Sequence, residues 1–214
     1  MATKIMSSSA SLRNMIQKGS ALGGRSFLAA AKKNGFTNGV GSSCYFSTKA
    51  DTMHQLFNSQ ITNEMNASQI YLSASIWCDD KELTGFASFM RMESTDERNH
   101  ALEMIDFALK RDIPVDLEAL AAPHAHWPSV EALWTDLLEA EKTNSQALYG
   151  LADAAHACQD HAVITFLQPF HSEQVEAVAN MKTILAKVRE ESTSPGLIRQ
   201  LDTQIGAESK AKGV

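Results

Sequence analysis

Apolar residues recur every three or four positions along most of the chain after residue 50, which is the period of helices that bury one face. On this pattern we predict four long helices and a short fifth, over about residues 51–78, 84–111, 129–158, 160–191 and 195–204. Proline marks two boundaries, because Pro114 cannot continue the second helix and Pro128 directly precedes the third. Residues 206–214 are expected to form a disordered tail. The predicted fold class is therefore all-α.

The lengths of the connections predict the topology. About five residues join the first two helices and one or two join the third and fourth, so both pairs are expected to be antiparallel neighbours. The middle connection, residues 112–128, reaches about 56 Å when extended, whereas a helix of about 28 residues is only about 42 Å long. It can therefore cross the bundle from end to end, which predicts a four-helix bundle with one long crossover. An ordinary long loop is the alternative.

Each of the four long apolar stripes is interrupted near its middle by a polar residue of a type that binds metal ions. The interruptions are Glu64 in the first stripe, Glu97 and His100 in the second, Glu141 in the third and Gln174 in the fourth. Burying one unpaired carboxylate costs several kcal/mol, roughly the whole stability margin of a domain. Three carboxylates that converge in one core therefore need a cation, and the pattern predicts a metal site inside the bundle.

The types of residue in this set favour particular metals. Glu97 and His100 are one turn apart on the same helix face, where they can share one metal ion. A set rich in carboxylates and poor in histidine suits iron or manganese better than zinc. Gln174 adds a neutral side chain that can reach a metal through water.

A scheme with two iron ions assigns a role to each residue. Glu97 bridges the two ions, Glu64 and His100 complete one position, and Glu141 holds the other. Tyr71 lies two turns from Glu64 on the same face, near enough to donate a hydrogen bond or an electron. Two iron ions held in this way can each give one electron to the same dioxygen molecule. Weak ligation at the second position would let the iron leave after oxidation.

Four segments of the sequence carry a resemblance to a known family: residues 63–74, 97–101, 138–142 and 166–175. Residues 51 to about 205 resemble ferritins of the H type, most closely those of diatoms and other algae. The resemblance implies a ferritin-like di-iron domain, with iron as both the substrate and a transient cofactor. It also implies oxidation of Fe(II) by dioxygen, a ferric mineral, and a hollow homo-oligomeric shell of 24 subunits.

Two positions discriminate within the wider family. Related di-iron oxidases repeat the Glu-x-x-His pattern in their second half, whereas Asn144 follows Glu141 and Ala177 follows Gln174 here. The resemblance therefore favours a ferritin ferroxidase over a stable di-iron oxygenase. A detoxifying ferroxidase with little mineral storage and a structural, co-assembling subunit are the alternatives. A DNA-bound miniferritin is disfavoured, because those proteins hold their ligands between subunits.

Further carboxylates lie close to the predicted ligands on the second and fourth helices, namely Glu93, Asp96, Glu173 and Glu176. By resemblance to bacterial and algal ferritins, these residues are candidates for a third iron position. Ala177 stands where many of those ferritins carry an acidic residue, so such a position is weakened or is built from Glu176 instead. A solvated acidic patch on the inner surface is an equally open interpretation.

The first fifty residues differ from the rest in composition. They contain seven basic residues and no acidic ones, and they are rich in Ser, Ala and Gly, which is typical of an organelle transit peptide. We expect a mitochondrial address, with a plastid as the alternative; a basic arm that stays attached is a third reading. Residues 51–214 keep 12 basic residues against all 25 acidic ones, a net charge of −13. Such a charge attracts cations and disfavours nucleic acid, and no stretch is long and apolar enough to predict a membrane span.

The transit-peptide hypothesis predicts that residues 1–50 direct a fused fluorescent reporter into mitochondria. The same segment with its seven basic residues replaced by Gln should leave the reporter in the cytosol, because its positive charge is then lost. Mass spectrometry of the native protein should place its N-terminus between about Tyr45 and Asp51. A cytosolic reporter, or a native protein that retains Met1 or Ala2, would contradict the hypothesis.

Overall fold

The computed structural model describes residues 42–192 and 194–212. It contains five helices and, within those ranges, no strand: α1 Ser42–Asp80, α2 Thr84–Lys110, α3 Val130–Cys158, α4 His161–Glu191 and α5 Pro195–Lys212. The chain divides into two units, residues 1–51 and 52–214. Most of the predicted transit peptide, residues 1–41, lies outside the described residues. No helix in the described part combines the length and the apolar character needed to cross a membrane.

The predicted all-α fold with four long helices is confirmed, and two ends differ from the prediction. Helix α1 begins at Ser42, before the predicted start near residue 51. The predicted disordered tail is wrong over residues 206–212, because α5 continues to Lys212. The helix continues through Gly206 because tertiary packing overrides its low helix propensity: Ile205 and Ser209 on either side are buried.

The crossover between α2 and α3 runs along α1. The side-chain amide of Asn58 donates to the carbonyl of Pro114 at 3.0 Å and accepts from the backbone N–H of Asp116 at 2.7 Å. Two turns later, Asn66 accepts from the backbone N–H of Ala121 at 3.1 Å. Still later, the Ser73 hydroxyl donates to the carbonyl of His124 at 2.8 Å. These contacts advance in the same direction on both segments, so the connection carries the chain along the bundle and α3 starts at the end where α2 starts.

The bundle core consists of two apolar clusters. One contains residues such as Trp77, Phe86, Trp134 and Leu185, and the other contains residues such as Phe57, Met104, Leu151 and Leu167. Each of the four long helices contributes to both clusters. The buried carboxylates fall between the two contributions: Glu64 does so in α1, Glu97 in α2 and Glu141 in α3. A polar layer at mid-bundle is therefore held between two apolar ends.

Helix α5 packs against the start of α2. Leu83, the residue before α2, makes no side-chain cap, and the carboxylate of the buried Asp202 on α5 takes over this role. It accepts from the backbone N–H groups of Gly85 at 3.1 Å and Phe86 at 2.7 Å, which are unpaired at a helix start. The contact needs glycine, because a Cβ on Gly85 would lie 1.8 Å from the carbonyl oxygen of Asp202 and one on Gly206 would lie 2.6 Å from the Cα of Gly85.

We expect Gly85→Ala to lower the melting temperature, because the added methyl forces α5 away from α2; overpacking of this kind typically costs about 1–3 kcal/mol. Gly150→Ala is the matched control, because a Cβ at the exposed Gly150 in α3 meets no atom within 4 Å. That substitution should leave stability unchanged or raise it by about 0.5–1 kcal/mol through helix propensity. Equal melting temperatures for the two variants in differential scanning calorimetry would contradict the close contact.

Candidate metal centre

The polar layer brings together the ligand-type residues that the sequence predicts. Glu64 on α1, Glu97 on α2 and Glu141 on α3 are only 2%, 6% and 3% exposed. One ligand atom from each of Glu64, Glu97 and His100 lies within 4.8 Å of the other two. Among the described residues this is the one cluster of three His, Cys, Asp or Glu side chains with such spacing. Residues of α1 and α2 that are more than thirty positions apart in the sequence thus meet at a place suited to one cation.

Glu97 stands at the centre of this cluster. Its Oε2 atom is buried and accepts no hydrogen bond, and Nδ1 of His100 lies 3.7 Å away from it. Burial raises the pKa of Glu97 well above its usual value, and the charge and hydrogen bond of Glu64 raise it further, as does the charge of Glu141. A carboxylate in a dry core needs either a proton or a cation. The unpaired oxygen and the two facing ligands therefore fit a divalent cation.

Glu141 is held on both of its carboxylate oxygens. The Tyr71 hydroxyl donates to Oε1, and the Gln174 amide donates to Oε2. The same amide also donates to the backbone carbonyl of Glu141 at 3.1 Å. Burial raises the pKa of Glu141, although these two hydrogen bonds act in the opposite direction. The predicted hydrogen bond of Tyr71 therefore exists, but its acceptor lies on α3 rather than on the tyrosine's own helix.

Tyr71 is fully enclosed in the same layer. Burial raises the pKa of its hydroxyl well above the usual value, and the neighbouring charges of Glu141, Glu93 and Glu97 raise it further. The phenol therefore keeps its proton at neutral pH and serves as a hydrogen-bond donor. The effect of Glu93 on both Tyr71 and Glu97 shows that Glu93 also lies near the centre.

Glu64 is held by two amides that the sequence analysis did not assign to the site. The Gln60 amide donates to Oε1 of Glu64 at 2.6 Å, and the Asn144 amide donates to Oε2 at 3.1 Å. Gln60 also donates to the side-chain oxygen Oδ1 of Asn144 at 2.7 Å. The only sequence feature that could have pointed to Gln60 is its place one turn before Glu64. Asn144 follows Glu141 at the position where related oxidases carry histidine, which did not indicate a hydrogen bond to Glu64.

The outer carboxylates are arranged around His100 and at the surface. The Nε2 atom of His100 lies 3.0 Å from Oε2 of the largely exposed Glu173. Partial burial raises the pKa of Asp96, which the charge of His100 lowers and that of Glu173 raises, so all three are neighbours. Glu176 is exposed. The third iron position predicted from these residues and Glu93 stays a prediction.

The raised pKa of Glu97 predicts a pH-dependent stability in metal-free protein. Because the folded state holds this proton to a higher pH than the unfolded chain, the folded state loses stability as pH rises from about 4.5 to the raised value. Glu97→Gln removes this titration, so its melting temperature should exceed that of the wild type by an amount that grows across the window. Glu103→Gln, an exposed position on the same helix, is the control. The melting temperatures are measured in EDTA at several pH values. If they change with pH by the same amount in all three proteins, the raised pKa is not that of Glu97.

Comparison with known proteins places these features in a family. Residues 54–190 match the model of the ferritin family, which is described as a ferritin-like domain. A bacterial non-heme ferritin from Staphylococcus saprophyticus is 32% identical over 126 residues, which are 59% of this chain and 75% of that protein. A bacterial non-heme ferritin from Bacteroides fragilis is 29% identical over 157 residues, covering 73% of this chain and 98% of the relative.

Solved structures agree with the sequence matches. The crystal structure of apo-ferritin from the diatom Pseudo-nitzschia multiseries has a TM-score of 0.70 and 48% identity, and covers 72% of this chain and 98% of that one. A PmFTN variant soaked overnight in iron has a TM-score of 0.70 and 49% identity, over 71% of this chain and 98% of that one. With its buried cluster of carboxylates and histidine at mid-bundle, the chain belongs to the ferritin family.

Proposed function

We propose that this protein is a ferritin subunit that oxidises Fe(II) with dioxygen inside its own helix bundle and stores the product as a ferric mineral within a hollow homo-oligomer of 24 subunits. The observation that carries the proposal is the unpaired buried oxygen of Glu97 beside Glu64 and His100. A cation at this place would compensate a buried carboxylate whose Oε2 atom has no hydrogen-bond partner. The iron-soaked relative and the family match support iron as that cation.

Each residue of the layer has a role in this reaction. Glu64, Glu97 and His100 bind the first Fe(II), and Glu97 with Glu141 binds the second. Gln174 and Tyr71 orient Glu141 by donating to its two oxygens. Two Fe(II) ions supply one electron each, so one dioxygen molecule is reduced by two electrons and, with two protons, becomes hydrogen peroxide.

Protonation of Glu97 reduces the negative charge of the site before iron binds. Burial and the neighbouring carboxylates raise the pKa of Glu97, so without a cation this carboxyl binds a proton more readily, which limits repulsion among the three carboxylates. Binding of Fe(II) displaces this proton. The second position lacks a histidine and has the neutral Gln174 beside it, so it holds iron less firmly and supports release of Fe(III) toward the mineral.

Two finer parts of the proposal concern location and product. The basic composition of residues 1–50 supports a mitochondrial location, with a plastid as the alternative.

Storage of iron is favoured over detoxification with little retention, because the relatives are described as ferritins. Fe(II) added in air to the purified protein, followed by gel filtration, measures iron retained per shell. Complete oxidation with little retained iron would favour the detoxifying function.

We expect Glu97→Ala to abolish the fast phase of aerobic Fe(II) oxidation, with a loss of at least about 100-fold, because removing even an outer partner of a metal ligand typically costs 10–100-fold. Glu64→Ala and His100→Ala should mainly impair the first position, and Glu141→Ala the second. Stopped-flow absorbance measures the rate, and light scattering verifies a particle of 24 subunits.

Glu139→Ala is the matched control, because this glutamate lies on the exposed face of α3 and pairs there with Lys142 at 3.6 Å. It should oxidise Fe(II) at the wild-type rate. An unchanged early rate in Glu97→Ala, with intact shells, would reject the site as the place of oxidation.

A further inference from the structure

We propose that Gln60 and Asn144 are positioning residues that hold the carboxylate of Glu64 in its ligating pose before the first Fe(II) binds. The inference rests on the proposed function, because it concerns the same metal position. It adds to that function a pair of neutral side chains, one on α1 and one on α3, that act through Glu64 rather than by touching the metal.

The three side chains form a closed ring of hydrogen bonds. Gln60 donates to Glu64 at 2.6 Å and to Asn144 at 2.7 Å, and Asn144 donates to the second oxygen of Glu64 at 3.1 Å. An ionised carboxylate only accepts hydrogen bonds, so both amides must turn their NH₂ groups toward it. The ring therefore fixes the rotation of the carboxylate as well as its position.

Burial makes these amides hard to explain by packing alone. Gln60 and Asn144 are only 2% and 9% exposed, in helix faces that otherwise carry apolar residues. A buried amide is costly unless its hydrogen bonds are made, and an apolar side chain of similar volume would pack there without that demand. The amide NH₂ groups of both residues donate within the ring, and neither contacts the backbone of another helix.

A second pair of polar residues in the same layer shows the contrast. The Ser68 hydroxyl donates to the backbone carbonyl of Ser94 at 2.7 Å, and the Ser94 hydroxyl donates to that of Ser68 at 2.8 Å. Those contacts join α1 to α2 through the main chain and have a structural role. The amides of Gln60 and Asn144 instead converge on one functional side chain.

The carboxylates of Glu64 and Glu141 each accept hydrogen bonds from two side chains, but the donors differ chemically. Glu141 has a phenol and an amide, whereas Glu64 has two amides. Amides neither titrate nor take part in electron transfer at neutral pH. The two amides therefore keep donating to Glu64 whatever the pH near neutrality, and the position at Glu64 has His100 as a further candidate ligand. Together these features make it the position that binds metal first.

Anaerobic titration with Co(II) tests this inference without turnover, because Co(II) reports its own coordination through visible absorption. Gln60→Met keeps the volume and helix propensity but removes both donors, and Asn144→Ala gives an independent second variant. Each should weaken binding of the first Co(II) by about 10–100-fold, the usual effect of losing an outer partner, and leave the second unchanged. Asn66→Ala is the matched control, since this amide on α1 binds the crossover instead.

A double-mutant design separates positioning from a general effect on the fold. In a Glu64→Ala background, Gln60→Met and Asn144→Ala should have no further effect on Co(II) affinity, because the carboxylate through which they act is gone. An equal loss in that background, or wild-type affinity in both single variants, would overturn the inference. If the wild type binds Co(II) as expected but fails to oxidise Fe(II), the proposed function fails while the positioning role stands.

Discussion

The rest of this structure depends on the need to compensate three carboxylates buried in one layer of a helix bundle. Two of them, Glu64 and Glu141, each accept two side-chain hydrogen bonds, and all but one of these come from another helix. The central one, Glu97, keeps an unpaired oxygen, and its pKa is raised. The apolar clusters on both sides supply the stability that lets such a layer persist, because hydrophobic burial is the dominant favourable term in folding. The repulsion among these buried carboxylates thus opposes folding and, for the same electrostatic reason, favours binding of a cation.

The long crossover determines which helices can share that layer. Because it follows α1 from Asn58 to Ser73, α3 begins beside the start of α2. The middle of α3 then meets the middles of α1 and α2, which brings Glu141 level with Glu97. A direct hairpin at this point would reverse α3 and move its polar residues to different neighbours. Backbone anchors on the crossover therefore contribute to the site although none of them approaches the metal position.

The helices and most of the side chains in the polar layer were predictable because both depend on local periodicity. A carboxylate in an apolar stripe is a strong signal, and Glu64, Glu97 and Glu141 each gave it. Partners across helices carry no such signal: Tyr71 was expected near Glu64 but donates to Glu141, and Gln60 was missed. The end of α5 was predicted wrongly because Gly206 reads as a helix terminator in sequence, whereas its contact with Gly85 makes the absence of a side chain an advantage. Sequence patterns therefore do not reveal tertiary contacts that override the local conformational preference of a residue.

The cap that Asp202 provides for α2 also has a consequence for the order of folding. Helix α2 carries Glu97 and His100, yet two of its first backbone amides are paired only when α5 is in place. Asp202 lies 117 residues after Gly85 in the sequence, so the start of α2 is completed only after the intervening chain has been made and has folded back, as expected of a domain that folds as a unit. The candidate ligands on α2 therefore gain their final support late, when the bundle around them can close.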